Sequence, residues 1–296
     1  MMGRLRWVAF LLAATLVSAG CTRAQATNPV PNAQQTVDAL RALQPTATSF
    51  VVGDADIPRD RIPFDINQYF TVLKHLNMEP GYALDYVYLL SGNGGRPVIY
   101  ARGADSEPFS TYSDFLAAKG TGQRDDPMAS GDKVPGERIW TDGTAEGFFE
   151  WVVLQIIGGQ FYLFWHAGYD DVKVICDTAA FESLVSELAR SEPLSPEAER
   201  EARRIDFTPT VRFEDTQVTV RVVTFTKWGG FAEQTYTLSR EPPVTIIAKG
   251  GRGLVGYDSG MRFQPPAGLP GLGYRLRLTT GAQSVSLGQH DGGMVD

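Results

Sequence analysis

The hydrophobic pattern opens with an almost unbroken apolar run, Trp7 to Val17, set behind Arg4 and Arg6. At roughly eleven residues it is too short to cross a bilayer core of about 30 Å as a helix. Polar and small residues follow (TRAQATNPVPNAQQ), so residues 21–48 read as a polar tether, with Val37, Leu40 and Leu43 marking a short helix before Pro45. The folded body is expected from about Ser49. Asp65-Ile66-Asn67-Gln68 resembles a capping box, and Ile66, Tyr69, Phe70, Leu73 and Leu76 repeat at helical spacing until Pro80-Gly81. Tyr82 to Leu90 and Pro97 to Arg102 read as a hairpin joined by the Gly-rich Ser91–Gly95. A short helix over Thr111 to Ala118 closes at Gly120, and a polar loop over 120–137 follows.

The densest apolar stretch comes next. Phe148 to Ile157 and Gln160 to Ala167 flank Gly158-Gly159, a pair suited to the positive φ of a tight turn, and predict a central hairpin apolar on both faces. In that register Gln155 faces Tyr162 and Trp151 faces His166. Asp177 then caps a helix with the stripe Phe181, Leu184, Val185 and Leu188, and Ser195-Pro196-Glu197 opens a short charged helix through Arg204. Beyond Phe207 the texture is of strands: Val211 to Phe213, Val218 to Lys227, Ala232 to Ser239 and Val244 to Lys249, with a hairpin at Gly229-Gly230. The end of the chain, past Pro265, is a Gly/Pro-rich tail in which Tyr274 to Leu278 suggests a last edge strand. Antiparallel hairpins interspersed with helices predict an α+β fold, mostly β in its C-terminal part. Residues 49–192 form an α+β unit, 193–204 a linking helix and 205–296 a β-rich region; one domain and two are equally compatible with this pattern.

The start of the chain carries more than hydropathy. Leu16-Val17-Ser18-Ala19-Gly20-Cys21-Thr22 resembles the lipobox of bacterial lipoprotein precursors, departing from it at Ser18, where a branched aliphatic is usual. The resemblance implies a signal peptide over residues 1–20, cleavage before Cys21 and acylation of its thiol, hence a membrane anchor in the cell envelope. A rival A-x-A site, Ala24-Gln25-Ala26, would release a soluble protein; its distance from the apolar run and Arg23 in its approach favour the first site. With Cys21 acylated, Cys176 is the only thiol left and no intrachain disulfide forms.

Charge narrows the partners. The formal net charge is −7, and removal of Arg4 and Arg6 with the signal lowers it by two, to −9. No basic block offsets it, which argues against nucleic acid. With 43% hydrophobic residues the chain can build a core without disulfides.

Catalytic motifs are weak. His75, His166 and His290 have no metal-ligand spacing. Asp125, Asp126, Asp132 and Glu137 lack the order of an EF-hand loop. Ser259 sits outside G-x-S-x-G, and the glycine groups at 92–95 and 250–253 match neither dinucleotide nor P-loop patterns, reading as turns. Cys176, just before a helix, reads as a buried structural thiol beside the alternative of a reactive one. Neither a cofactor nor a metal is expected. Two surfaces remain: Trp151, Gln155, Tyr162 and His166 on one face of the expected hairpin as a ligand pocket, or an ordinary core, and Lys227, Trp228 and Phe231 around a tight turn as a partner contact, or a cross-strand aromatic pair. Glu150 falls on the other face, as an edge residue. The sequence therefore predicts a membrane-anchored, non-catalytic module that binds a small ligand or an envelope protein. An envelope hydrolase and a structural assembly factor are the alternatives.

Overall fold

A computed structural model describes residues 27–46, 56–91, 94–119, 135–165 and 171–258. Cys21, His166, Asp125, Asp126, Asp132, Ser259, His290 and the C-terminal tail lie outside them. The fold is α+β. Its largest element, among the described residues, is a six-stranded antiparallel sheet in the order β1 (Thr27–Pro29), β8 (Thr210–Phe213), β9 (Gln217–Thr226), β10 (Gly230–Ser239) and β11 (Ile246–Val255), with β7 (Lys173–Ile175) also pairing β9. β8 and β7 share one edge of β9: Thr210 to Phe213 lie opposite Arg221 to Val218, and Lys173 to Ile175 lie opposite Phe225 to Val223. The hairpin joining β9 to β10 turns where the sequence places it, and Gly230 supplies the positive φ.

This sheet is covered on both sides, and alternation along β9 explains how. Val218, Val220 and Val222 face a core built with α1 (Ala33–Leu43) and α3 (Ala145–Ile157). Val223 and Phe225 face the opposite core, with Phe181, Leu184 and Leu188 of α4 (Thr178–Leu188) and Ala202 of α5 (Pro196–Ala202). Each fully buried branched or aromatic side chain contributes about 1.5–3 kcal/mol. The helices start where local chemistry dictates. Asp177 accepts from the Ala180 N–H at 2.7 Å, and Ser195 from the Ala198 N–H at 3.1 Å with Pro196 in the first turn.

A second sheet pairs β3 (Tyr82–Ser91) with β4 (Gly94–Gly103), and β4 with β6 (Phe164–Trp165). One face of β3 gives Leu84, Tyr86 and Tyr88 to the main core; the other packs Val87 and Leu89 with Tyr100 against Tyr112 and Phe115 of α2 (Tyr112–Lys119). A two-stranded ribbon, β2 (Leu76–Met78) with β5 (Ile139–Thr141), completes the architecture.

The structure corrects four expectations. Residues 148–157 belong to helix α3 and not to a strand, so the central hairpin through Gly158-Gly159 does not form; Gly158 follows the helix in a right-handed conformation, φ −59°. An apolar run buried on every side has no period to betray its geometry. Thr144 decides it, accepting from the Gly147 N–H at 3.0 Å as N-cap. The helix expected over 66–76 starts at its Asp65 cap but is a 3₁₀ turn, Ile66–Thr71. Asn67 is drawn into the sheet, exchanging side-chain hydrogen bonds of 3.0 and 2.9 Å with the Leu84 backbone, and the chain becomes strand at Leu76. The polar tether is shorter than expected, because β1 pairs with β8 and Val37 and Leu40 of α1 are buried in the core well before Ser49. Gly250, Gly251 and Gly253 are not a turn but part of β11, paired with Thr235, Gln234 and Ala232. The largest core also joins residues from Val30 to Val244, across the linking helix at 193–204. Among the described residues no helix is long and apolar enough to cross a membrane.

Candidate functional site

The register of the β2/β5 ribbon sets Leu76 opposite Thr141, which brings His75 and Asp142, just beyond that pair, side by side. The Asp142 N–H donates to the His75 carbonyl at 3.1 Å, and Asp142 Oδ2 lies 2.7 Å from His75 Nδ1. Gly143, at φ +80°, turns the chain from the ribbon into α3. Thr144 then does two jobs. Its hydroxyl donates to Asp142 Oδ1 at 2.5 Å while capping the helix, and its N–H donates to the same oxygen at 3.0 Å. One turn on, Gly147 leaves room for this packing: a Cβ there would lie 2.6 Å from Asp142 Oδ1 and 3.4 Å from the His75 Cβ. A further turn on, Glu150 Oε2 accepts from the His75 N–H at 2.9 Å. Thr144, Gly147 and Glu150 thus form one helical row beneath His75.

Each group is electrostatically distinct. Glu150 is 4% exposed, and burial pushes its carboxyl up to about 7, against the lowering effect of the His75 amide and ring. Donating its ring N–H to the Asp142 carboxylate raises the His75 imidazole above its ordinary range. Burial acts to raise the Asp142 carboxyl, but hydrogen bonds from Thr144 and His75 outweigh it and hold the group below the usual carboxylate range. Among the described residues His75 Nε2 makes no hydrogen bond. His75, Glu150, Glu146 and Lys74 line a groove of about 490 Å³ with Val30, Asn32 and Gln35 from the start of α1. An imidazole oriented by a carboxylate, beside a carboxyl that titrates near neutrality, can accept, donate or share a proton with a bound group.

The residues expected to line a pocket are placed differently. Trp151 and Gln155 do share a face, but as neighbouring turns of α3. Trp151 is core, its Nε1 donating to the Gly136 carbonyl at 3.4 Å, and Gln155 Nε2 is buried without a hydrogen-bond partner. Tyr162 is in a left-handed conformation at φ +51° and ties three segments together: its N–H donates to Pro45 at 2.8 Å, its hydroxyl to Pro63 at 2.9 Å, and its carbonyl accepts from Tyr88 at 2.6 Å. The facing of Gln155 with Tyr162, and of Trp151 with His166, needed a strand at 148–157 and is lost with it. At the other candidate surface Trp228 is 46% exposed and Lys227 pairs with Glu192 at 3.3 Å, but Phe231 is fully buried against Phe225 and Phe181 and is closed to a partner. Cross-strand register puts Phe231 opposite Phe225, not Trp228. Cys176 is buried, and burial pushes its thiol up, away from reactivity. Among the described residues no three His, Cys, Asp or Glu side chains are grouped to hold a metal.

Sequence reasoning missed His75, Asp142 and Glu150, and Glu150 is no edge residue. The signal lay in Asp142-Gly143-Thr144-x-x-Gly147, a helix start placed just before the apolar run. Comparisons with protein-family models, with curated proteins and with solved structures find no match to this chain.

Proposed function

We propose that this chain is a cell-envelope lipoprotein, anchored to a membrane through acylated Cys21, whose α+β body binds a small ligand or an envelope partner without catalysis. The sequence from Leu16 to Thr22 supports the anchor. One observation supports binding over chemistry: the hydroxyl in contact with the His75 ring, Thr144 Oγ1, lies 3.5 Å from Nδ1, on the Asp142 side, and its proton is committed to Asp142. Among the described residues no nucleophilic side chain is hydrogen-bonded to Nε2, the nitrogen a general base would use. Nε2 is left to a ligand in the groove, beside a buried carboxyl.

Labelled fatty acid supplied to cells tests the anchor: incorporation into wild type and none into Cys21→Ala is expected, and equal labelling overturns it. Native mass spectrometry tests the groove, with a bound small molecule on wild type and its loss from His75→Asn as the expected result. Glu150, titrating near 7 beside the Asp142-supported imidazole, favours a second reading, an envelope hydrolase using the two as acid and base. Turnover abolished by both Glu150→Gln and His75→Asn, with a bell-shaped pH dependence, would establish that reading instead.

A further inference from the structure

Asp85, on β3, is fully buried, and two guanidiniums meet it: Arg59 Nη2 lies 2.7 Å from Oδ1 and Arg102 Nε 2.7 Å from Oδ2. Two cations on one carboxylate leave a positive charge uncompensated within the triad. The two arginines differ in how far they are used. Arg102 spends Nη1 on the carbonyls of Gly103, Ala104 and Ser106, at 3.1, 3.0 and 2.6 Å, and so fastens the turn after β4. Arg59 has no such commitments. Its Nε is buried without a hydrogen-bond partner, and its remaining contact is the face of Tyr86, 5.3 Å from the ring centroid. The side chain is nevertheless 32% exposed, so part of the guanidinium fork other than Nε stays within reach of a ligand.

Arg59 also borders a cavity of about 660 Å³, within the usual range for small-molecule sites. Apolar rings form part of its wall, Pro63 and Phe64 on one segment and Pro108 and Phe109 on another, beside the polar Asn67, Asp85, Arg102 and Ser110. The Arg59 N–H donates to Ser110 at 3.0 Å, which joins the two segments at the arginine. Two exposed carboxylates, Asp60 and Asp65, stand on the lining; Asp65 is engaged by the Asn67 N–H at 3.0 Å. They disfavour phosphate and other multiply charged anions, whereas a single carboxylate matches the planar guanidinium fork.

We propose that this cavity is a binding site for a small monocarboxylate carried on an aromatic or cyclic apolar body, with Arg59 as its anchor and the Pro/Phe walls holding the ring. It does not rest on the groove at His75. The test is calorimetric titration of the full chain with benzoate, with benzamide as the neutral isostere and inorganic phosphate as the multiply charged control. Saturable benzoate binding in the millimolar range or tighter is expected, with benzamide and phosphate each weaker by about tenfold or more. Arg59→Gln should weaken benzoate by about tenfold or more, and Asp60→Asn should tighten it by removing a repelling charge. Should Arg59→Gln fail to fold, Arg59→Lys, which keeps the charge and loses the fork, should still weaken benzoate. The proposal is overturned by the absence of saturable benzoate binding, by benzamide or phosphate binding as well as benzoate, or by undiminished binding in a folded Arg59 variant.

Discussion

Asp85 and Glu150 are both buried acids, 0% and 4% exposed, in two parts of the molecule that treat a carboxylate in opposite ways. Between β3 and the segment at Arg59, Asp85 is gripped by two guanidiniums and by the Tyr86 N–H at 2.9 Å. Under the β2/β5 ribbon, Glu150 has one backbone N–H and, among the described residues, no ion-pair partner. Burial therefore outweighs the lowering effect of the His75 amide and ring and brings its titration to about 7. The same degree of enclosure yields a fixed electrostatic pin in one place and a proton-exchanging group in the other. What differs is the company, not the depth.

The largest effect should come from breaking the pin. Asp85→Asn leaves two guanidiniums facing an amide, and should cost about 3–5 kcal/mol in equilibrium urea denaturation; a wild-type midpoint would show that the arginines do not depend on it. Glu150→Gln should act through pH. The native carboxyl holds its proton up to about 7 against an ordinary 4.5, so its penalty is absent below the ordinary value and grows as pH rises to about 7. Relative to wild type, the variant should gain up to about 3 kcal/mol across that window. His75 adds a slope of the same sign: its raised imidazole contributes stability below the ordinary histidine value that is lost as pH rises through the folded one. Wild type should thus weaken from mildly acidic to neutral pH, and Glu150→Gln less so; parallel curves would refute the assignment.

Smaller effects sharpen the contrast around Glu150. Thr144→Ala removes the cap of α3 and a hydrogen bond to Asp142, and should cost about 1 kcal/mol in thermal unfolding. Asp142→Asn should cost less than that, since the His75 and Asp142 side chains are 38% and 39% exposed. Its clearer signature is spectroscopic: the His75 titration followed by NMR should fall back toward the ordinary imidazole value.

Legibility in the sequence tracked how local the determining chemistry is. Asp177, Ser195-Pro196 and Gly229-Gly230 act within a few residues, and α4, α5 and the β9/β10 hairpin stand where those residues put them. Runs rich in Tyr, Val and Ile between turn signals likewise marked β3, β4, β8 and the core of β9. Where burial is complete, as along α3, the pattern carries no face and the hairpin reading of 148–167 failed. Asn67 shows tertiary contacts overriding a local cap, with a helix shortened to a 3₁₀ turn. The groove was illegible for a different reason: His75 and Asp142 are 67 positions apart, and only the ribbon register unites them. The pocket expected around Trp151, Gln155, Tyr162 and His166 inherited the error in α3, while Phe231 was misjudged because it already belongs to β10, on the strand face turned inward.

β1 has a consequence for where the protein can act. Thr27 is already locked to Arg212 in the large sheet, six residues after Cys21. If that cysteine carries the proposed lipid, the leash between headgroup and sheet is at most about 20 Å even when drawn straight. Such a body does not patrol the surrounding space on a long arm. On that proposal it would ride against the lipid surface, with Val30 and Asn32, and the groove they help to form, only a few residues farther along.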